Sequence, residues 1–384
     1  MKYKQSLKFS LRSNYKNILV TGGAGFIGSF LVDLLVEEGY KVRIFDNLEE
    51  QVHFGEKPAY LNKNAEFIKG DVRNNSDLKK AIDGIDAIFH LASAVGVGQS
   101  NYQIKKYVDS NILGTANLLD LLINTKNNIK KFITISSMTG YGEGNYLCKK
   151  CGIVRPPLRE EGQLKKKDWN LYCPICGQVV EPKPTDENAL DYPNSIYGFT
   201  KKAQQDMALI IGKLYNLPTV VLRGFNIYGP RQSLSNPYTG VTAIFISRLK
   251  NNQFAIVYED GLQTRDFVSV HDVAKAFVLA LVSGDANYQM FNIGSGKGTT
   301  ILEVSQTLSK LLGKSGLIQV NQEFRKNDIR HCYADISKAK RILGWEPKVS
   351  LEQGLKELIE WGATQKAEDR FSQAQKELKQ KGLI

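Results

Sequence analysis

The sequence predicts a doubly wound α/β fold, in which a parallel sheet carries helices on both faces, with a smaller C-terminal α/β lobe. Two observations favour this class. Strand-like and helix-like stretches alternate as far as Ser137, and a glycine-rich turn directly follows the first apolar strand at residues 17–20. The length of 384 residues suffices for one large domain and a second, smaller lobe.

The glycine-rich turn has the spacing of a dinucleotide-binding site. Gly22 permits a tight turn, Gly25 lets the backbone approach a pyrophosphate, and Gly28 permits close packing of helix against strand. Apolar residues at helical spacing follow, so the N-terminus of that helix is expected to face the anion. An ordinary glycine-rich turn is the alternative. The order of strand, turn and helix favours the dinucleotide site, and therefore a Rossmann-type domain.

The second strand, at residues 41–45, ends in an acidic residue, Asp46. A carboxylate at this strand end hydrogen-bonds the adenosine ribose hydroxyls and repels a 2′-phosphate. The sequence therefore predicts NAD rather than NADP as the cofactor.

Tyr197 and Lys201 are spaced at i and i+4 in a helical stretch, so they share one helix face. An ammonium group beside a phenol favours the phenolate, and we expect it to lower the pKa of Tyr197 toward neutrality. Such a tyrosine can take a proton from an alcohol. A surface helix with an unrelated Tyr and Lys is the alternative, which the dinucleotide site disfavours.

Several motifs in order resemble those of the extended short-chain dehydrogenase/reductase family, specifically its nucleotide-sugar epimerases and dehydratases. They include the segments 70–72, 90–92, 136–142, 223–231 and 265–268, and the resemblance runs from about residue 17 to about residue 361. It implies a catalytic trio of Ser137, Tyr197 and Lys201. It also implies cofactor contacts, together with the glycine turn, at Gly22, Gly25, Phe26, Ile27, Gly28, Asp46, Asn47, Asp71, Val72, Leu91, Ala92, Asn111, Tyr197 and Lys201.

The residues after the serine favour one reaction of this family. Its 4,6-dehydratases carry an Asp-Glu pair there and its decarboxylating members a glutamate, whereas this chain has Met138 and Thr139. A 4-epimerase needs no further acid. We therefore expect an NAD-dependent nucleotide-sugar 4-epimerase, an isomerase. A 4,6-dehydratase, a UDP-hexose 4-epimerase and, remotely, a non-catalytic dinucleotide-binding scaffold stay open as alternatives.

The resemblance also implies a substrate site. Its expected contacts to the diphosphate, ribose and sugar are Thr139, Asn226, Arg231, Arg265, Arg325 and Asp328. Arginine suits a diphosphate because its planar guanidinium donates two hydrogen bonds, although a lone arginine is more often a solvated surface charge. The segments 94–100, 232–238 and 328–332 most resemble the dTDP-L-rhamnose 4-epimerase branch, which makes dTDP-L-rhamnose the first candidate substrate.

Four cysteines lie in an insertion of the family pattern, at about residues 143–185. These cysteines are Cys148, Cys151, Cys173 and Cys176. They form two C-x-x-C-G sequences about 20 residues apart, and this spacing is typical of a zinc ribbon. Four thiolates leave no open position on the metal, so we expect a structural zinc. Two disulfides or a redox pair are the alternatives. The isolated fifth cysteine, Cys332, favours a reducing compartment.

The formal charge of +12 is a weak indication of nucleic-acid binding, because the lysines are spread along the chain and the expected substrate is a diphosphate. No apolar run reaches the roughly 18 residues of a membrane span, and no targeting segment is evident. We therefore expect a cytoplasmic protein without nucleic-acid partners. The family resemblance implies a homodimer formed through the helices near residues 104–122 and 197–201.

These motifs divide the chain into six segments. They are a basic N-terminal extension (1–16), a Rossmann NAD-binding domain (17–142), an inserted four-cysteine zinc-ribbon-like subdomain (143–185), the continued Rossmann domain with the catalytic helix (186–225), a mainly substrate-binding lobe (226–361) and an amphipathic C-terminal helix (362–384).

Overall fold

The computed structural model describes residues 14–365 and 370–384, so most of the predicted N-terminal extension lies outside the described residues. The strands are β1 (Asn17–Thr21), β2 (Lys41–Asp46), β3 (Glu66–Lys69), β4 (Ala87–His90), β5 (Lys131–Ser137), β6 (Asn145–Cys148), β7 (Gly152–Val154), β8 (Glu181–Lys183), β9 (Thr219–Gly224), β10 (Asn226–Tyr228), β11 (Ala255–Val257), β12 (Thr264–Arg265), β13 (Phe267–Ser269), β14 (Gln289–Ile293), β15 (Thr299–Thr300), β16 (Ile318–Val320) and β17 (His331–Cys332).

The helices are α1 (Phe26–Glu37), α2 (Glu50–His53), α3 (Asn75–Ile82), α4 (Val97–Ser100), α5 (Ile104–Tyr107), α6 (Gly114–Asn124), α7 (Glu161–Lys165), α8 (Ile196–Leu214), α9 (Val241–Lys250), α10 (Val270–Val282), α11 (Ile301–Leu311), α12 (Leu351–Ala363) and α13 (Phe371–Gln380). A π-helical stretch, Val108–Leu113, joins α5 to α6, and a second one is Ala339–Leu343. None of the described helices has the length and apolar character needed to cross a bilayer.

Seven strands form the main sheet of the described chain, in the spatial order β3–β2–β1–β4–β5–β9–β14, and every neighbouring pair is parallel. The predicted doubly wound α/β fold is thus confirmed. The chain proceeds to one side of β1 through β2 and β3, and then to the other side through β4 and β5. Connections diverge at the carboxyl ends of β1 and β4, which opens a crevice there.

Alternating side chains of β1 anchor the two faces of this sheet. Ile18 and Val20 belong to one buried cluster, whereas Leu19 lies in another with Phe132 and Leu118. Because both faces are covered, all seven residues of β5 are buried, and its polar end, Ser136 and Ser137, is held at the crevice.

Residues after β9 build the smaller lobe around its own apolar cluster, which includes Phe245, Val257 and Leu358. Two elements of this part return to the main domain: β14 is an edge strand of the main sheet, and α10 packs against α1. The insertion forms a separate antiparallel sheet in the order β7–β6–β8.

Candidate active site

The glycine turn lies at the carboxyl end of β1, where two glycines have no room for a side chain. Gly22 has a φ of +69°, and a Cβ there would lie 2.7 Å from the backbone nitrogen of Ala92. A Cβ on Gly28 would lie 2.2 Å from the carbonyl oxygen of Gly22. The helix α1 begins after Gly25 without a side-chain cap and without an acidic residue in its first turn. Its free N–H groups suit an anionic ligand.

A cavity of about 610 Å³ extends from this turn along the carboxyl ends of the strands to the smaller lobe. Nearly all predicted cofactor, catalytic and substrate residues line it. They are Gly22, Gly25, Phe26, Ile27, Gly28, Asp46, Asn47, Asp71, Val72, Leu91, Ala92, Ser137, Thr139, Tyr197, Lys201, Asn226, Arg231, Arg265, Arg325 and Asp328.

Asn111 is the exception, and a cofactor contact there stays a prediction. Its side chain is fully buried behind the cavity wall. The amide oxygen accepts from the backbone N–H of Ala94 at 2.7 Å, and the amide nitrogen donates to the Thr200 hydroxyl at 2.9 Å. Asn111 therefore joins the segment after β4 to the helix α8.

Asp46 lies at the cavity with both carboxylate oxygens partly used by the backbone. One oxygen accepts from the N–H of Ala24 at 3.0 Å, and the other accepts from the N–H of Leu48 at 2.9 Å. Each carboxylate oxygen can accept a second hydrogen bond, so ribose hydroxyls can still be bound. Asn47 donates to Asp71 at 3.0 Å, which orders the next two predicted contacts.

Ser137, Tyr197 and Lys201 line the same cavity, and the side chains of Ser137 and Tyr197 are hydrogen-bonded to each other. Ser195 caps α8 by accepting from the N–H of Gly198 at 3.1 Å. The Tyr197 N–H donates to the Ser100 hydroxyl at 2.9 Å, so this helix start is also tied to the loop after β4. The Lys201 side chain is 1% exposed.

The expected lowering of the Tyr197 pKa is wrong for the protein without its cofactor. Burial of the phenol raises the pKa of Tyr197 to about 12, although a hydrogen bond with Ser137 lowers it. Burial also lowers the pKa of Lys201 to about 7. The ammonium donates a hydrogen bond to Gln204 and contributes no resolved shift to the phenol. Burial disfavours the charged form of both groups, which is why their pKa values move in opposite directions.

At the far end of the cavity, Arg265 is held in a fixed orientation. Its guanidinium donates to Asp328 Oδ1 at 2.9 Å and to the carbonyl oxygens of Ile329 and Arg330 at 2.8 and 3.2 Å. Arg325 lies 4.6 Å from the ring centre of Tyr258. Both arginines line the cavity, and guanidinium groups are suited to binding phosphate oxygens.

Arg231 lines the cavity but is already engaged. Its guanidinium pairs with Asp33 of α1 at 2.7 Å and lies 4.4 Å from the ring centre of Phe30. The structure thus turns Arg231 toward the helix α1, and the prediction of a substrate contact is not supported by this geometry.

Unpartnered polar atoms indicate that the far end binds a polar ligand. Within the described residues, and apart from Arg231 Nη1, which is ion-paired with Asp33, four buried atoms of lining side chains have no hydrogen-bond partner: Asn226 Oδ1, Gln232 Oε1, Gln263 Oε1 and Arg325 Nε. A buried polar atom without a partner is costly, so a ligand that supplies both donors and acceptors stabilises this end. Gln232 and Gln263 were missed because a neutral amide outside a motif carries no sequence signal.

The four predicted metal ligands converge in the insertion. The thiol sulfurs of Cys148, Cys151, Cys173 and Cys176 all lie within 4.8 Å of one another. Tetrahedral zinc at about 2.3 Å from each sulfur requires sulfurs about 3.8 Å apart. The cluster therefore has the ligand number, chemistry and approximate size for one such ion.

The glycine turn and the Ser-Tyr-Lys trio, which line one cavity, are typical of a short-chain dehydrogenase/reductase site. Comparisons with known proteins agree. The family described as "NAD dependent epimerase/dehydratase family" matches residues 18–159, and the one described as "GDP-mannose 4,6 dehydratase" matches residues 175–358. The dTDP-L-rhamnose 4-epimerase of Burkholderia thailandensis is 35% identical over 353 residues, which cover 90% of this chain and 94% of that protein.

Solved structures give the same result. The UDP-glucose 4-epimerase of Thermotoga maritima, determined with UDP-glucose, superposes with a TM-score of 0.74 at 33% identity, covering 90% of this chain and 98% of that one. The UDP-glucuronic acid 4-epimerase of Bacillus cereus, in complex with UDP-glucuronic acid and NAD, has a TM-score of 0.74 at 29% identity and the same coverage. This chain belongs to the NAD-dependent nucleotide-sugar epimerase family of extended short-chain dehydrogenases/reductases.

Proposed function

We propose that the protein is a nucleotide-diphosphate-sugar 4-epimerase, with dTDP-L-rhamnose as the first candidate substrate. The observation that carries this proposal is the Ser137–Tyr197–Lys201 centre without an acid of its own. The carboxylates that line the cavity are Asp46, Glu49, Asp71 and Asp328, within the part of the chain that the structure describes. Asp46 ends β2, Glu49 and Asp71 follow β2 and β3, and Asp328 pairs with Arg265.

The residues present support a sequence of proton movements at the sugar O4. In our proposal Tyr197 takes the O4 proton while the C4 hydride leaves, and it returns the proton when the hydride is delivered to the opposite face of C4. NAD, held by the glycine turn, the N-terminus of α1 and Asp46, supplies the hydride acceptor and later the donor. Ser137 hydrogen-bonds the reacting oxygen, and Arg265 and Arg325 hold the diphosphate while the sugar turns over.

The proposal is tested by incubating the protein and NAD with dTDP-L-rhamnose, dTDP-glucose and UDP-glucose and following the products by NMR. The expected product is the C4 epimer of one of these sugars. UDP-glucose is included because a putative UDP-glucose 4-epimerase of Methanocaldococcus jannaschii is 34% identical to this chain. Formation of a stable 4-keto-6-deoxy sugar from dTDP-glucose would instead support a 4,6-dehydratase.

Replacing Ser137 by alanine is expected to move the rising limb of the pH–rate profile to higher pH. The hydrogen bond with Ser137 lowers the pKa of Tyr197, so its loss raises that pKa and reduces the phenolate fraction at every pH below it. We expect kcat/KM at neutral pH to fall by about 10- to 100-fold. Ser136→Ala is the control and should leave the profile unshifted. The Ser136 hydroxyl donates to the backbone carbonyl of Lys201 at 3.2 Å, whereas the hydrogen bond that lowers the pKa of Tyr197 comes from Ser137. An unshifted Ser137→Ala profile would contradict the assigned role.

We also propose that the four cysteines bind one structural zinc ion. Besides the sulfur distances, the small core of the insertion supports this: its six buried members include two of the cysteines. So few apolar side chains rarely stabilise a separate sheet without a metal or a disulfide. The unpaired thiols also support a reducing compartment, such as the cytoplasm.

Metal analysis of the purified protein is expected to find about one zinc per chain. Cys173→Ser should lose the metal and unfold at a lower temperature, because the free energy of metal binding contributes to the free energy of folding. Cys332→Ser is the matched control, since Cys332 is buried but lies outside the cluster. A metal-free preparation with unchanged activity and thermal stability would exclude the zinc site.

We further propose a homodimer that pairs the segment 104–124 and α8 with the same elements of a second copy. Large apolar side chains are exposed on both: Ile104, Leu113, Phe199, Ile210 and Leu214. These elements contact one another, and exposed apolar side chains on adjacent helices are typical of subunit contacts. Sedimentation velocity should show a dimer for the wild type and a monomer for Ile210→Glu. A monomeric wild type at micromolar concentration would contradict the proposal.

A further inference from the structure

The C-terminal helix α13 forms part of the wall of the active-site cavity, although it lies beyond residue 358, where the second family match ends. Phe371, Ala374 and Leu378 form its buried face. Phe371 and Leu378 line the same cavity as Tyr197, and so does Leu383, which follows the helix. The helix therefore contributes directly to the enclosure of the site.

One side of the helix is attached to the loop that follows β4. A methyl group placed on Gly98 would lie 3.3 Å from Leu378 Cδ2, so the two segments are in contact. Glu377 accepts hydrogen bonds from the hydroxyls of Tyr238 at 2.7 Å and Tyr102 at 3.1 Å. Those two hydroxyls lie 2.6 Å apart. A single carboxylate thus joins α13 to segments from both lobes.

The other side of the helix reaches the segment that carries the predicted phosphate ligand Arg325. The backbone N–H of Lys326 donates to the carbonyl of Leu383 at 3.0 Å. Lys379 pairs with Glu323 at 2.8 Å. The helix and its tail therefore span from the loop near the catalytic tyrosine to the loop near the diphosphate, across the substrate half of the cavity.

We propose that α13 covers the substrate half of the cavity and retains the 4-keto sugar between the two hydride transfers, with Glu377 as the positioning residue. This inference rests on the proposed epimerase function. A 4-epimerase must release its sugar only after the hydride has returned. A ketone that leaves early has lost a hydride to NAD and a proton to Tyr197, so each release leaves one reduced cofactor on the protein. A fixed cover prevents this loss.

The test compares wild type, Glu377→Ala and Lys376→Ala during turnover of dTDP-L-rhamnose and UDP-glucose. Lys376 is the matched control, because it is exposed on the same helix. Released ketone is trapped with sodium borodeuteride, and reduced cofactor is followed by its absorbance. In Glu377→Ala we expect both quantities to rise together, one to one, with about tenfold more ketone per epimer formed. Lys376→Ala should match the wild type.

A chain truncated after Gln365 provides a second variant, checked for native circular dichroism, and it should release ketone at least as readily as Glu377→Ala. Wild-type levels of ketone and reduced cofactor in both variants, with epimerisation intact, would overturn this inference alone. A wild type that forms neither epimer nor reduced cofactor with either sugar would overturn the proposed function and this inference with it.

Discussion

Tyr197→Phe is expected to lower kcat by about 10²- to 10⁴-fold while the fold and NAD binding are retained. The substitution removes the only atom that takes the O4 proton in the proposed mechanism and keeps the ring that packs near Tyr107, at 6.3 Å between ring centres. Neither the glycine turn nor Asp46 contacts the phenolic oxygen within the described structure. We expect the loss to appear in kcat rather than in the affinity for NAD.

Steady-state kinetics with the best substrate of the panel, together with NAD titration by calorimetry, measures both quantities. Tyr215→Phe is the matched control, because Tyr215 is an exposed tyrosine at the end of the same helix. It should turn over substrate at the wild-type rate. A Tyr197→Phe variant within a fewfold of the wild-type kcat would remove Tyr197 from the mechanism.

Glu259→Gln is expected to cost about 3–5 kcal/mol of unfolding free energy, because it breaks a buried ion network. The Glu259 carboxylate receives two hydrogen bonds from Arg159 at 2.8 Å and one from Arg330 at 2.8 Å. All three side chains are less than 10% exposed. An amide in this place keeps the shape but removes the charged partner of Arg159, whereas Arg330 still pairs with Asp260 at 2.7 Å.

This network also joins the insertion to the substrate site. Arg159 belongs to the insertion, and Arg330 follows Asp328, the partner of Arg265. Urea unfolding followed by circular dichroism gives the free-energy change, and an increased KM is expected to accompany it. Glu346→Gln, at an exposed glutamate, is the control and should unfold as the wild type does. Wild-type stability of Glu259→Gln would show that the network contributes little.

Much of the fold and of the cofactor site could be predicted because local sequence determines them. The Gly22 and Gly28 positions allow no side chain, and the order of strand, turn and helix follows from apolar periodicity. Ser137, Tyr197 and Lys201 were recognisable as a set, although 60 residues separate the first two. Their motifs are tied to strand and helix ends, which parallel topology brings to one edge of the sheet.

Other features could not be predicted because they depend on tertiary contacts. The Asn111 amide is hydrogen-bonded to Ala94 and Thr200, and Arg231 is held by Asp33. The raised pKa of Tyr197 reflects the depth of burial, which spacing alone does not give. The amphipathic pattern of the C-terminal segment indicated a packed helix, but not that Leu378 would line the cavity. Ala367, which belongs to the apolar face of that pattern, lies outside the described residues.

The most direct measurement follows the C4 hydrogen itself. The protein with NAD is given dTDP-L-rhamnose carrying deuterium at C4, in ordinary water, and the product is examined by NMR and mass spectrometry. We predict a C4 epimer that retains the deuterium at C4, because the same hydride leaves and returns within one site. Loss of deuterium to the solvent with epimerisation intact would contradict the proposed transient oxidation at C4.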